Sequence, residues 1–313
     1  MTVTGNALAE KFSAHRSHLI AVAYRLTGSL ADSEDAVQEA WLRLSALPRE
    51  KQDEIHELRA WLTTVVGRIC LDRLRSATAR REQYVGEWLP EPIVTPLGAP
   101  ASEDPLETVV RDDGVRMAAM VVLDKLRPEQ RVAFVLHDAF SVPFSEIADI
   151  LGVSPDTARQ YASRGRRALA DADPPSRESL DEQREILERF LTAVMSGDVH
   201  AVAEVLHPDV VLIGDSNGKA RTTRRIMVGA EKIMRFLQGL LQVYKPGAFN
   251  SARPVLVNGD LGVYVPPAPG EGYRDLDAHV QTFSVRDGKV VTIYDQANPD
   301  KLERAGRVAG QEG

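Results

Sequence analysis

Cysteine is almost missing from this 313-residue sequence, where Cys70 stands alone. A single thiol closes no internal disulfide and supplies no cysteine-based zinc site. No run approaches the roughly 18 apolar residues of a membrane-crossing helix. The start, MTVTGNALAEKF, has no basic stretch ahead of an apolar one, so no signal peptide is expected and a cytoplasmic location is. Gross imbalance is absent as well. With 43% hydrophobic and 27% charged residues and a mean hydropathy of −0.22, the chain has material for real cores and no compositional cause for wholesale disorder. The length fits two domains of roughly 150 residues, or three small ones.

The net charge of −7 taken alone argues against a nucleic-acid partner, but the distribution of charge argues for one. Residues 59–81 hold six arginines (59, 68, 73, 75, 80 and 81) against Asp72, and residues 155–169 hold four (159, 164, 166 and 167) against Asp156. Between them, residues 82–114 carry eight acids and one base, Arg111. Two basic patches joined by an acidic connector fit two contacts on one long anionic ligand.

Periodicity divides the chain further. An apolar stripe from Leu8 through Phe12, Leu19 and Val22 to Leu26 predicts one helix closed by Gly28, with Asp32 or Ser33 placed to cap the next. That second helix turns Ala36, Val37, Ala40, Trp41 and Leu44 inward. A polar stretch spans 48–57, and a third helix runs over 58–80. Residues 82–105 form a connector kept extended by five prolines, and its Trp88 needs an apolar surface to dock on. Helices are expected at 106–126, 128–140, 143–151 and 154–171. In the last pair, Ala148 permits close approach, Gly152 turns the chain and Ser154-Pro155 starts the second helix, which makes a helix-turn-helix. After a second linker at 171–176 come a helix at 179–197 ended by Gly197, a helix at 230–242, and strands at 210–213, 254–257, 261–265, 278–285 and 289–294. Hairpin turns fall at Asn258-Gly259-Asp260 and Asp287-Gly288, giving an α+β region with an antiparallel sheet.

Several segments carry a resemblance. Asp35-Ala-Val-Gln38-Glu39-Ala-Trp41 and Trp61 to Arg75 resemble region 2 of the small bacterial sigma factors of extracytoplasmic-function type. Leu126 to Arg131 and Phe144 to Arg167 resemble their region 4. Trp88-Leu89-Pro90-Glu91-Pro92 and Asn298-Pro299-Asp300-Lys301-Leu302 are similar to signatures of one subgroup, group 41 or the sigma-J type, which fuses a SnoaL-like domain to region 4. That subgroup also has an Asp-Gly-Gly-Gly-Arg stretch; here Asp215-Ser216-Asn217-Gly218-Lys219 stands in its place, with two glycines replaced. The resemblance implies a multidomain fold: all-α region 2 (1–81), connector (82–105), all-α region 4 (106–173), then an α+β SnoaL-like cone (178–313).

It also implies roles. Asp35, Gln38, Glu39 and Trp41 would bind the RNA polymerase core through its beta and beta-prime subunits. The bland alternative is a hydrated helix face, but Asp35 and Glu39 lie four residues apart with no basic partner between them, which suits a basic polymerase helix. Arg68, Asp72, Arg73, Arg75 and Arg80 would face the −10 promoter element, with the 47–59 loop forming a base pocket. On 155–169, Arg164, Arg166 and Arg167 would hold phosphates, while Thr157, Arg159, Gln160 and Ser163 would stand beside base edges of the −35 element. Trp88 to Pro92, Asp215 and Asn298 to Leu302 would make an interdomain contact. Pro299 stops strand pairing, and Leu302 leaves the sheet with no further core to join. The reading is a sigma factor, not an enzyme, without cofactor or metal, regulated by its own C-terminal domain. The rival is a SnoaL-type enzyme or small-ligand sensor tethered to DNA. For that rival the candidate polar groups are Asp215, Tyr264, His279 and Tyr294, with His279, Gln281 and Phe283 alternating onto one strand face.

Overall fold

The computed structural model describes residues 3–81, 83–98, 113–196 and 198–310. The chain divides into two compact units, one of residues 1–83, 102–115 and 119–174, the other of 84–101, 116–118 and 175–313.

The first unit is helical: α1 Val3–Ser13, α2 Arg16–Thr27, α3 Leu30–Ser45, α4 Arg49–Asp53, α5 Leu58–Arg81, α6 Met117–Asp124 from residue 119 onward, α7 Pro128–Phe134, α8 Phe144–Leu151 and α9 Pro155–Ala172. The stripe expected as one helix is two. The chain turns at Ala14-His15, where the His15 N–H bonds back to Phe12 O instead of continuing the ladder. Gly28 does close α2, at φ +70°, but Ser29 caps α3 by accepting the Asp32 N–H. Asp32 and Ser33 lie inside the helix. Leu19, Val22 and Leu26 of α2, Ala36, Ala40 and Leu44 of α3, and Leu62 and Val66 of α5 are fully buried together. Cys70 is buried beside them, and that burial pushes its thiol up to about 12.

Two expected helices are interrupted within the described residues. Only part of 106–126 is described, and there a 3₁₀ turn at Asp113–Val115 precedes α6. The 128–140 helix runs as α7 and then widens into a π turn at Val135–Ala139. Within this unit α7 is pinned to α2 by Arg131, 1% exposed, whose Nε donates to Arg25 O at 3.1 Å and Nη1 to Asp124 at 3.1 Å. The helix-turn-helix forms as the sequence predicts. Gly152 turns at φ +68° with its N–H on Ala148 O, and Ser154 caps α9 ahead of Pro155. Gly165 lets α9 lie against α7, since a Cβ there would come within 2.6 Å of Phe134.

The second unit carries β1 Val94–Pro96, α10 Leu180–Ser196, α11 Val199–Val205, β2 Leu206–Asp215, β3 Met227–Val228, α12 Ala230–Val243, β4 Arg253–Val257, β5 Asp260–Val265, β6 His279–Arg286, β7 Lys289–Gln296 and α13 Glu303–Gly310. Gly197 lies outside the described residues. The sheet order is β1-β4-β5-β6-β7-β2-β3. Asn258-Gly259 and Asp287-Gly288 all take positive φ, the geometry of tight hairpins. One expectation needs correcting: β2 runs parallel to β7, so the sheet is antiparallel except at that pair. The connector also adds β1 to the sheet edge, pairing Val94 with Val257. Alternation along β5 splits two cores. Val263 and Val265 join α10, α11 and α12 in one, while Tyr264 joins β1, β4 and α13 in the other.

Candidate polymerase and promoter interface

On α3, Asp35 and Gln38 are exposed, Glu39 is half-buried, and Trp41 tilts against Phe12 at 5.1 Å. Leu42, not singled out from the sequence, is 57% exposed one turn beyond Gln38. The acids are not unpartnered as expected. Arg73 of α5 reaches Asp32 at 3.0 Å, Asp35 at 3.6 Å and Glu39 at 3.9 Å, and Arg43 pairs with Glu39. The partner comes from a neighbouring helix, so spacing within α3 did not reveal it. Arg73 is therefore committed to α3 rather than presented alone. Arg75 donates to Glu129 of α7 at 3.0 Å. Arg68 and Asp72 are exposed, and Arg68 has no ion pair among the described residues. The Arg80 side chain lies outside the described residues.

The expected base pocket at 47–59 contains α4, tied back by the Gln52 amide donating to Leu47 O at 2.9 Å. Next to it, the Arg59 guanidinium donates to His18 Nδ1 at 2.9 Å, which leaves Nε2–H to donate to Thr63 Oγ1. Burial and the charges of Arg59, His15 and Arg25 hold His18 down at about 4, so the ring is neutral.

On α9, Arg159, Gln160, Ser163, Arg164, Arg166 and Arg167 are exposed and Thr157 is half-buried against Ser154. Arg159 pairs with Asp156 and stacks over Phe144 at 5.5 Å, while Arg166 is held by Asp138 at 2.6 Å. Arg164 and Arg167 have no ion pair among the described residues. Ala158 and Ala162 are buried on the opposite side, which fixes the arginine face outward.

In the second unit the connector and the C-terminal segment meet at Asp215, whose side chain is fully buried. Its carboxylate accepts from Tyr84 Oη at 2.5 Å, the Leu89 N–H at 2.8 Å, Gln296 Nε2 at 3.2 Å and Lys301 Nζ at 2.7 Å. Lys301 also donates to Leu89 O at 2.6 Å and lies 4.2 Å above the Trp88 ring. Asn298 donates to Tyr84 Oη at 2.8 Å and caps the Pro299–Lys301 turn, where Asp300 pairs with Lys219. Leu89, Pro90 and Pro92 are buried and Trp88 and Glu91 half-buried. Burial and the Asp215 charge push the Tyr84 phenol far above its ordinary range. Asn217, standing where the resemblance implies a glycine, takes φ +49°, a left-handed conformation that asparagine tolerates, and its Oδ1 accepts the Val85 N–H. Leu302 corrects an expectation: it does have a further core, buried with Val94, Val257 and α13.

A cavity of about 330 Å³ opens between α10, α12 and the sheet. His279 and Gln281 line it, as their alternation predicts. Phe283 instead packs on Phe190 in the core, Tyr264 lies in the other core, and Tyr294 is buried beside Ser284. The sequence did not reveal the partner of His279. Asp295 of β7 accepts from its Nδ1 at 2.9 Å and from Gln281 at 3.1 Å, and also from Thr222. Burial works against both charges, yet the Asp295 carboxylate holds His279 above its ordinary value, and His279, Thr222 and Gln281 hold Asp295 below. Among the described residues no cluster of three metal-ligating side chains occurs, and no helix is long and apolar enough to cross a membrane.

An arginine-faced helix-turn-helix, a second helical layer with its own exposed arginine and acidic face, and an α+β cone define a DNA-binding transcription protein with a fused accessory domain. Residues 12–80 match the Sigma-70 region 2 family, 116–169 match Sigma-70 region 4, and 187–293 match the SnoaL-like domain. The chain is 52% identical to the ECF RNA polymerase sigma factor SigJ of Mycobacterium tuberculosis over 93% of this chain and 92% of that protein. It is 32% identical to the probable ECF sigma factor SigI of the same organism, over 93% of each. The crystal structure of M. tuberculosis SigJ superposes with a TM-score of 0.78 at 49% identity, covering 94% of this chain and 98% of that one. The chain belongs to the extracytoplasmic-function RNA polymerase sigma factors, non-catalytic subunits that direct transcription initiation at promoters.

Proposed function

We propose that α3 docks on the core polymerase through Asp35, Gln38, Glu39 and Leu42, at the beta and beta-prime subunits, in the cytoplasm. In this reading α9 reads −35 duplex and α5 contacts the opened −10 strand. Arg164 and Arg167 hold phosphates, because an exposed guanidinium without an ion pair gives up nothing to meet one. Arg159 and Gln160 stand at the N-terminal end of α9, where a helix in the major groove meets base edges. On α5 the strand meets Arg68 first, since that side chain has no ion pair among the described residues. Arg73 and Arg75 serve there only on leaving Asp32 and Glu129.

The C-terminal unit regulates by holding the connector. The observation that carries this is the Asp215 carboxylate, which binds connector groups (Tyr84 and the Leu89 N–H) and Lys301 at once. Two promoter contacts joined by a chain cooperate only when its reach matches their separation on DNA. Docking residues 84–96 on a folded unit removes that length from the free reach. Multi-round transcription with core polymerase tests it, comparing the full chain with its Lys301→Met variant. A changed yield at equal core binding supports the reading; identical yield at several spacer lengths sinks it.

A further inference from the structure

One hairpin of the second unit holds the chain on both sides of region 4. Residues 119–174 belong to the helical unit, whereas 116–118 and the chain from Pro175 onward belong to the sheet-bearing one. The chain thus leaves the second unit after residue 118 and returns to it at Pro175. Both crossings are fixed at the β4–β5 turn, where Asn258 and Gly259 take positive φ and Asp260 starts β5. The buried Asp260 carboxylate accepts from Arg116 Nε at 2.8 Å and from Arg177 Nε at 3.0 Å, one guanidinium on each oxygen. Arg116 Nη1 also donates to Pro175 O at 2.7 Å, which bonds the outgoing segment to the one that returns 59 residues later. Gln183 of α10 donates to the same carboxylate at 3.4 Å and accepts the Leu261 N–H at 2.7 Å. The turn holds the connector as well, since Asn258 donates its N–H to Ile93 O at 2.8 Å and accepts the Ile93 N–H at 3.0 Å.

Such a buried ion pair keeps one geometry, because opening it strands charge away from water. Its place on the sheet matters too. Asp215 stands level with Tyr264 across β7 and β6, and Asp260 lies four residues from Tyr264 along β5. Three strand spacings across and four residues along put the two carboxylates about 20 Å apart on one sheet. Asp215 holds Tyr84 and Leu89, just after region 2, and Asp260 holds Arg116 and Arg177, on either side of region 4. The points from which both promoter-binding regions hang are thereby set by the sheet rather than by the length of chain joining them. Without the Asp260 contact, residues 175–179 become free chain up to the start of α10, and five residues extend at most about 17 Å. That is about five base-pair rises of 3.4 Å.

We propose that Asp260 is a positioning residue for promoter recognition. By holding the chain on both sides of region 4 it confines the reach of that region, and so narrows the range of −10 to −35 spacer lengths that the protein accepts. The proposal rests on the reading of α5 and α9 as the two promoter contacts, and adds to the connector contact at Asp215 a second, separate anchor.

The test is multi-round transcription by core polymerase with the full-length protein, on one promoter whose spacer is varied in single base pairs to either side of the best length. Each yield is divided by the highest yield of the same protein, so a partly unfolded variant still reports the profile of its folded fraction. Asp260→Asn keeps the size of the side chain and removes the charge that both guanidiniums meet. Wild type should fall off steeply, whereas the Asp260→Asn profile should widen by about two base pairs or more, with yields at the outermost spacers about tenfold higher relative to the optimum. Hydrogen exchange at residues 176–179 should rise in the same variant. If Asp260→Asn gives too little transcript to profile, Arg177→Gln decides; it leaves the Arg116–Asp260 pair and should widen the profile less. A variant profile that superposes on wild type overturns the proposal. With raised exchange, the contact opens without effect on spacing; with unchanged exchange, Asp260 is not what holds the chain. A wild-type profile already as flat as the variant's overturns it equally. Lys301→Met on the same promoters separates the two readings: a changed yield there, beside an unchanged Asp260→Asn profile, leaves the connector reading standing and removes this one.

Discussion

Lys301 and Asp215 form an ion pair at 2.7 Å in which the carboxylate has no exposure and the ammonium very little. Neither charge offsets its desolvation alone. Lys301 also holds Leu89 O and covers Trp88, so one side chain ties the connector to the strand that bears Asp215.

Lys301→Met keeps the length and apolar stem of the side chain but strands the buried carboxylate. Removing one member of a buried pair costs about 3–5 kcal/mol. The second unit should therefore melt earlier, and protease should cut between Tyr84 and Ile93 at a higher rate. Adding Asp215→Asn should restore part of the loss, because no uncompensated charge remains. A double variant no more stable than Lys301→Met alone would show that the pair is not the cause.

How much of the fold and site is legible in the sequence follows from where each signal is encoded. The helix-turn-helix is local: Ala148, Gly152 and Ser154-Pro155 specify it within a few residues, and it forms where they predict. Strands β4 to β7 alternate clearly and are punctuated by Asn258-Gly259 and Asp287-Gly288. Strand β1 has only three residues and exists because β4 offers it an edge, so nothing in Val94–Pro96 announces it. Trp88 announces its need for a partner, and Tyr84, an aromatic four residues earlier in the same connector, carries a similar signal. Arg73 and Asp32, or His279 and Asp295, are far apart in sequence and meet only by packing. Tyr244 reads as any core aromatic, since only the structure shows that its hydroxyl lacks a hydrogen-bond partner among the described residues.

On α3, Asp35 is 67% exposed and its contact with Arg73 is long, at 3.6 Å, so charge reversal there costs the fold little. Asp35→Arg with Leu42→Asp should abolish pull-down of core polymerase while thermal melting stays almost unchanged. Core binding at the parent level would remove this face from the polymerase interface. Glu39 is the poorer choice for this test, since Arg43 and Arg73 both contact it.

The arginines of α9 separate by environment. Arg164→Ala should weaken binding to every −35 sequence alike and reduce the salt slope by about one phosphate. Arg166→Ala should do less, because Asp138 already occupies that guanidinium. Arg159→Ala should instead relax preference at one base pair, worth about 1–3 kcal/mol of discrimination. Measuring all three against a −35 site and its single-base variants decides the assignment. Uniform loss from Arg159→Ala would mean that the base-reading face lies elsewhere on α9.

The His279–Asp295 pair makes stability depend on pH in a direction that can be worked out. His279 is held above its ordinary 6.5, so its contribution is complete below 6.5 and is lost as pH rises through the folded value. Asp295 is held below its ordinary 3.8, so its contribution is complete above 3.8 and is lost as pH falls through the folded value. The pair therefore contributes most between about 3.8 and 6.5. The whole protein does not display this directly, because His18 acts oppositely: held near 4, it favours the unfolded chain as pH falls below 6.5. The difference between wild type and His279→Gln cancels His18, which lies in the other unit. Urea unfolding of the second unit at about pH 6 and about pH 9, followed by far-ultraviolet circular dichroism, should show a larger wild-type advantage at the lower value. An advantage that is equal at both values, or larger at the higher one, would mean that the imidazole is neutral in the folded protein and that Asp295 is held by Thr222 and Gln281 alone.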